Sequence, residues 1–89
     1  MRMKDLVAQF DKSVIKIEFK TDKHGELVGI LKEVVFWKGK ALFLVHTEYL
    51  NKLFVVSKDE IRDIWSPSSE FDITLCDLPK LIEYKRRKS

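Results

Sequence analysis

His46 and Glu48 are the residues best spaced for acid–base chemistry. Two positions apart in a strand, an imidazole and a carboxylate face the same side and can share a proton. The same spacing also makes an ordinary surface ion pair, which contributes little. Asp59, Glu60 and Asp63 form a second acidic cluster, but around a short 3₁₀ turn where solvated carboxylates are the rule. His24, His46 and Cys76 are the good soft or borderline metal ligands, and none is spaced as in Cys-x-x-Cys or His-x-x-x-His. They read as an exposed turn histidine, a half-buried strand histidine and a buried thiol. Three isolated glycines cannot build a phosphate-cradling loop. A chain of 89 residues also rarely encloses a reaction cleft. The expectation is a protein that is not an enzyme and that needs neither cofactor nor metal. A metal-free hydrolase centred on His46 and Glu48 is the distant alternative.

Binding chemistry is better represented. In Trp37-Lys38-Gly39-Lys40 an aromatic stands beside two lysines at a hairpin tip, where it can stack a base while the lysines meet phosphates. The same tryptophan can instead close the end of the core, leaving the lysines to keep the tip soluble. A second basic group, Lys85, Arg86, Arg87 and Lys88, can contact RNA, DNA or an acidic protein, or form a plain solvated end. Tyr49 and Leu50 place an apolar pair in a connection, as a partner surface or as a lid folded onto the core.

Those residues must be held by a small domain. Hydrophobic residues make up 45% and charged residues 35%, a globular rather than a disordered balance. The net charge of +3 resides in the C-terminal cluster: removing its four cations from the 17 leaves 13 against 14 acidic residues. A nucleic-acid partner therefore has to be gripped by a local patch or by that tail. One cysteine excludes a disulfide within the chain and suits a reducing compartment. Charges interrupt the N-terminal apolar stretch, so no signal peptide is expected, and no uncharged run approaches the ~20 residues of a membrane span. A cytoplasmic, non-membrane protein is the expectation.

The elements follow from periodicity. Met3, Leu6, Val7 and Phe10 mark one face of a short helix. Residues 14–20 alternate apolar and charged as a strand. Residues 27–37 are apolar on both faces and β-branched, a long strand in which Gly29 is a plausible bend or bulge. Lys38, Gly39 and Lys40 make a tight turn. Strands at 41–47 and 53–57, a 3₁₀ turn at 58–60 and a short strand at 61–65 come next. After Ser66, Pro67, Ser68 and Ser69, the alternation of Phe71, Ile73 and Leu75 suggests a sixth strand. Asp77 and Pro79 open a final helix striped by Leu78, Leu81 and Ile82. Residues 1–84 form one domain, and 85–89 are expected to fray.

This order resembles the small SH3-like and Sm-like barrels. Gly25-Glu26-Leu27-Val28-Gly29-Ile30-Leu31 looks like the start of an Sm motif, and residues 53–65 are similar to the closing strand, 3₁₀ turn and strand of such barrels. In outline, residues 14–66 also look like the small Sm-like antiterminators that bind the Rho termination factor. The resemblance implies a mainly β (α+β) domain, a five- to six-stranded barrel with a helix before it and a helix after it. It does not carry the Sm uridine pocket: Val35 and Gly39 stand where that family has its RNA-contacting Asp and Asn, and Val56-Ser57-Lys58 lacks the histidine of the bacterial RNA chaperones.

The expectation is therefore a regulatory binding module that acts on RNA or an RNA-handling protein. Its contacts would come from Trp37, Lys38, Lys40, Lys85, Arg86, Arg87 and Lys88. The alternative is a protein–protein adaptor or inhibitor using an exposed strand edge. The two-faced strand at 27–37 and the two amphipathic helices also suggest self-association, as a dimer.

Overall fold

The computed structural model describes residues 2–67 and 72–88. Helix α1 (Met3–Asp11) precedes five strands, β1 (Lys16–Thr21), β2 (Gly25–Trp37), β3 (Lys40–Thr47), β4 (Lys52–Ser57) and β5 (Ile61–Trp65). A 3₁₀ turn at Lys58–Glu60 joins β4 to β5, and a second at Leu75–Asp77 leads into helix α2 (Leu78–Lys88). The strands form one antiparallel sheet in the order β4-β3-β2-β1-β5.

Paired residues in an antiparallel sheet share a face, so the register sorts the side chains. Leu31 opposes Val45, Val34 opposes Phe43, and Phe43 opposes Val56. Ile17 lies beside Ile64 and Phe19 beside Ile61. All of these are buried, together with Leu6 and Phe10 of α1 and Leu78 and Leu81 of α2. One face of the sheet thus carries the core, and both helices contribute to it. The other face carries Lys16, Ile30, His46 and Leu53 in one row, and Trp37 with Lys40 at the tip.

The sheet is curled but open. Lys32 is an extra residue between the pairs Leu31–Val45 and Glu33–Leu44, and Arg62 is extra between Asp63 and Ile61 opposite β1. Such bulges increase local twist. Gly29 sits against β3: a Cβ there would lie 2.6 Å from the His46 carbonyl oxygen and 2.6 Å from Val45 Cγ1. The curl brings the Phe19 and Phe54 rings to 5.4 Å. On a flat sheet β1 and β4 would stand about 14 Å apart, three strand spacings.

Two expectations are corrected. The closed barrel is an open five-stranded sheet, with β4 and β5 as its two edges. Among the described residues there is no sixth strand. Phe71 lies outside them, 72–74 are irregular and Leu75 begins a 3₁₀ turn. Local side-chain bonds win over alternation there, because Asp77 Oδ2 accepts from the Thr74 N–H at 2.9 Å and Thr74 Oγ1 from the Cys76 N–H at 3.3 Å. Lys85–Lys88 form the last turn of α2. Cations suit a helix C-terminus, Arg87 pairs with Glu83 one turn back at 3.1 Å, and Lys85 docks on the sheet.

Candidate functional site

The β2–β3 hairpin turns on two residues. Lys38 and Gly39 have φ of 49° and 78°, and Trp37 pairs with Lys40 across them. Positive φ at both central positions matches the right-handed twist of the strands, which is why a glycine stands here. The geometry leaves Trp37 61% exposed, so it does not close the core. The Lys38 ammonium lies 4.6 Å from its ring centre. Lys38 and Lys40 are both exposed.

Helix α2 brings the second basic group to this hairpin. Its apolar stripe, Leu78, Leu81 and Ile82, packs into the core and directs the last turns along β2. Lys85 Nζ reaches Glu33 Oε1 at 2.7 Å and lies 5.8 Å from the Phe10 ring. The Arg86 guanidinium sits 5.1 Å from the Phe36 ring, one residue before Trp37. Lys40 and Arg86 line one open groove of about 400 Å³ with Ala41, Ser57, Lys58, Asp59 and Ile82. Two clusters far apart in the chain thus come to the same end of the sheet, with Trp37 on the face away from the core and Arg86 on the side that carries α2.

Their charges are not equivalent. Partial burial works against the Glu33 carboxylate, but hydrogen bonds from Lys85 and the Val34 N–H (2.9 Å), with the Lys85 charge, hold its pKa below the ordinary value. Lys85 is committed to this bridge and acts as a strut. Arg87, paired with Glu83, stands further along the helix, and Lys88 lies 5.4 Å from the Tyr84 ring and shares a second groove with Lys85, Glu33 and Phe36.

Lys58 and Asp59 carry no binding pattern of their own in the sequence. The β3–β4 register carries them there: Leu42 opposes Ser57, so Lys40 comes level with the 3₁₀ turn. The Ser-x-x-Glu spacing was the available signal. Both the Ser57 N–H and hydroxyl donate to Glu60 Oε1, at 2.9 and 3.0 Å, which pins the turn.

His46 and Glu48 line one pocket with Lys16 and Tyr49, although strand β3 ends at Thr47, which puts Glu48 in the following turn, and His46 Nε2 lies 3.2 Å from Asn51 Oδ1. Glu60 caps Ser57, and Asp63 accepts from the Ile64 N–H at 2.8 Å. His24 is exposed, with its ring edge toward Phe54 at 6.3 Å. Cys76 is exposed, not the buried thiol expected. Tyr49 is 91% exposed and does not fold back as a lid. Among the described residues, no three metal-binding side chains gather, and no helix is long and apolar enough to cross a membrane.

The chain matches no protein-family model, and no curated protein or solved structure is found to be similar to it.

Proposed function

We propose that this chain is a non-enzymatic regulatory module that binds RNA through the β2–β3 hairpin and the end of α2. The observation that carries the reading is that Lys40 links the two basic clusters: it is the cross-strand partner of the exposed Trp37 and shares a groove with Arg86. An aromatic platform flanked by cations is what base stacking combined with phosphate neutralisation requires. Outside the six cations of the two clusters, 11 basic residues stand against 14 acidic ones, so the attraction is local. Lys38, Lys40, Arg86 and Lys88 supply charge and Trp37 the stacking surface, while Arg87 adds charge at the far end and Lys85 holds the helix in place. The test is binding of labelled RNA at increasing salt, since phosphate contacts make affinity fall steeply with ionic strength. Affinity that is absent at low salt, or insensitive to salt, overturns the reading. A pull-down from cells with and without nuclease then separates RNA from an RNA-handling protein.

The adaptor reading rests on a different observation. Strand β4 is a free sheet edge, and its outward Leu53 and Val55 are 51% and 60% exposed. Edge pairing there is the route by which two copies, or one copy and a partner strand, would join. Light scattering coupled to size exclusion distinguishes a dimer from a single chain of 10.5 kDa.

A further inference from the structure

We infer that the ligand of this end of the sheet is a single-stranded nucleic acid, with one base seated on Trp37 and the adjoining backbone led along the groove between Lys40, Lys58 and Arg86. This deepens the RNA reading and rests on it.

The geometry selects for single strands. Trp37 stands at the end of β2 on the face opposite the core, and the Lys38 ammonium lies over its ring. Trp37 is 61% exposed, enough surface for a flat apolar partner to stack on the side of the ring that Lys38 does not cover. In a duplex the bases are stacked on one another, so an aromatic of this kind finds no base face without unstacking the helix. In a single strand every base has a free face, which is why stacking platforms mark single-strand binders. A tryptophan on a two-residue hairpin tip is a platform rather than a helix or ribbon filling a groove.

From the platform the cations lead over the hairpin tip to the side of the sheet that carries α2, a path for the backbone leaving a stacked base. Lys40 is the cross-strand neighbour of Trp37, so the two Cβ atoms are about 5 Å apart. From Lys40 the groove continues to Lys58 and Arg86, with Ser57 as a hydroxyl on its wall. Asp59 also lines it and opposes an anion. Among the described residues three cations and one carboxylate line the groove, and Asp59 supplies a distinctive test: removing its charge should tighten binding, whereas loss of a structural group would weaken it.

The experiment uses the full chain and fluorescein-labelled RNA of ~12 nucleotides, within the usual site sizes, as a single strand and as its duplex. A single-stranded DNA of the same sequence tells apart the two sources of this chemistry, and either strand binding above its duplex supports the inference. The single strand should bind at least ~10-fold tighter than the duplex. Three phosphate contacts predict a slope of log affinity against log salt of about −2, and Lys58→Ala should reduce it by about 0.7. Trp37→Ala should weaken binding about 5- to 150-fold, with Trp37→Phe in between. Asp59→Asn should strengthen binding about 2- to 5-fold at low salt. Circular dichroism checks that each variant folds, and Asp59→Asn keeps the test decisive should Trp37→Ala not. Duplex binding as tight as single strand, or Trp37→Ala and Asp59→Asn both at parental affinity, overturns the inference while leaving nucleic-acid binding in place. No affinity for either form at low salt overturns the RNA reading and this inference together.

Discussion

Gly29→Ala should destabilise the protein although alanine is the better strand residue. Gly29 lies within β2 between β1 and β3, paired with Ile17. An added Cβ would stand 2.6 Å from the His46 carbonyl oxygen and from Val45 Cγ1. Cβ atoms do not approach closer than 3.0 Å, and one of the two obstacles is backbone. Val45 cannot yield easily either, because it is fully buried in the core. The strands must therefore part by several tenths of an ångström where the sheet curls. Overpacking of this kind costs about 1–3 kcal/mol. The reduced freedom of the unfolded chain returns about 0.4–1 kcal/mol, so the net loss is about 1–2 kcal/mol. For a domain of this size that lowers Tm by about 5–15 °C. Thermal unfolding followed by circular dichroism, with urea titration for the free energy, measures it. Gly39→Ala is the control: a Cβ there meets nothing within 4 Å, and its cost comes from φ of 78° alone. A neutral or stabilising Gly29→Ala would refute the close approach of β2 to β3, and with it this account of the curl.

Other consequences concern the helices. Gln9 is 6% exposed, and neither its Nε2 nor its Oε1 has a partner among the described residues, so Gln9→Leu should stabilise the protein by about 1–3 kcal/mol in a urea titration. Because the Glu33 pKa is lowered in the folded state, its bridge to Lys85 contributes stability above the ordinary glutamate value of 4.5 and loses it as pH falls through the folded pKa. The stability difference between the parent and Glu33→Gln should therefore be present at pH 7 and vanish in acid, read from urea midpoints along a pH series. Its size stays small, since the Glu33 side chain is 41% exposed. Deleting residues 85–89 should cost about 1 kcal/mol, from that ion pair and the Arg86–Phe36 contact. An unchanged melting curve would show that the end of α2 is undocked.

Local patterns were legible because they depend on neighbours along the chain. The alternation of Ile15, Ile17 and Phe19 against Lys16 and Glu18 marks a half-buried strand wherever it occurs, and all three apolar residues are buried. Gly39 after Lys38 marks the tight turn, and Ser57 with Glu60 marks the 3₁₀ cap. What periodicity could not determine was how far the sheet closes. Curl depends on the bulges at Lys32 and Arg62 and on the bare Cα of Gly29 against β3, all effects of pairing between distant strands. The fate of the basic segment was undetermined for the same reason. Four adjacent cations repel one another in an isolated chain, and in the fold Glu33 and Phe36 of β2 receive Lys85 and Arg86. The residue types of the candidate site were thus visible from the start. Their approach at one end of the sheet was decided by the packing of α2, where burial of Leu78, Leu81 and Ile82 outweighs the mutual repulsion of the charges that follow them.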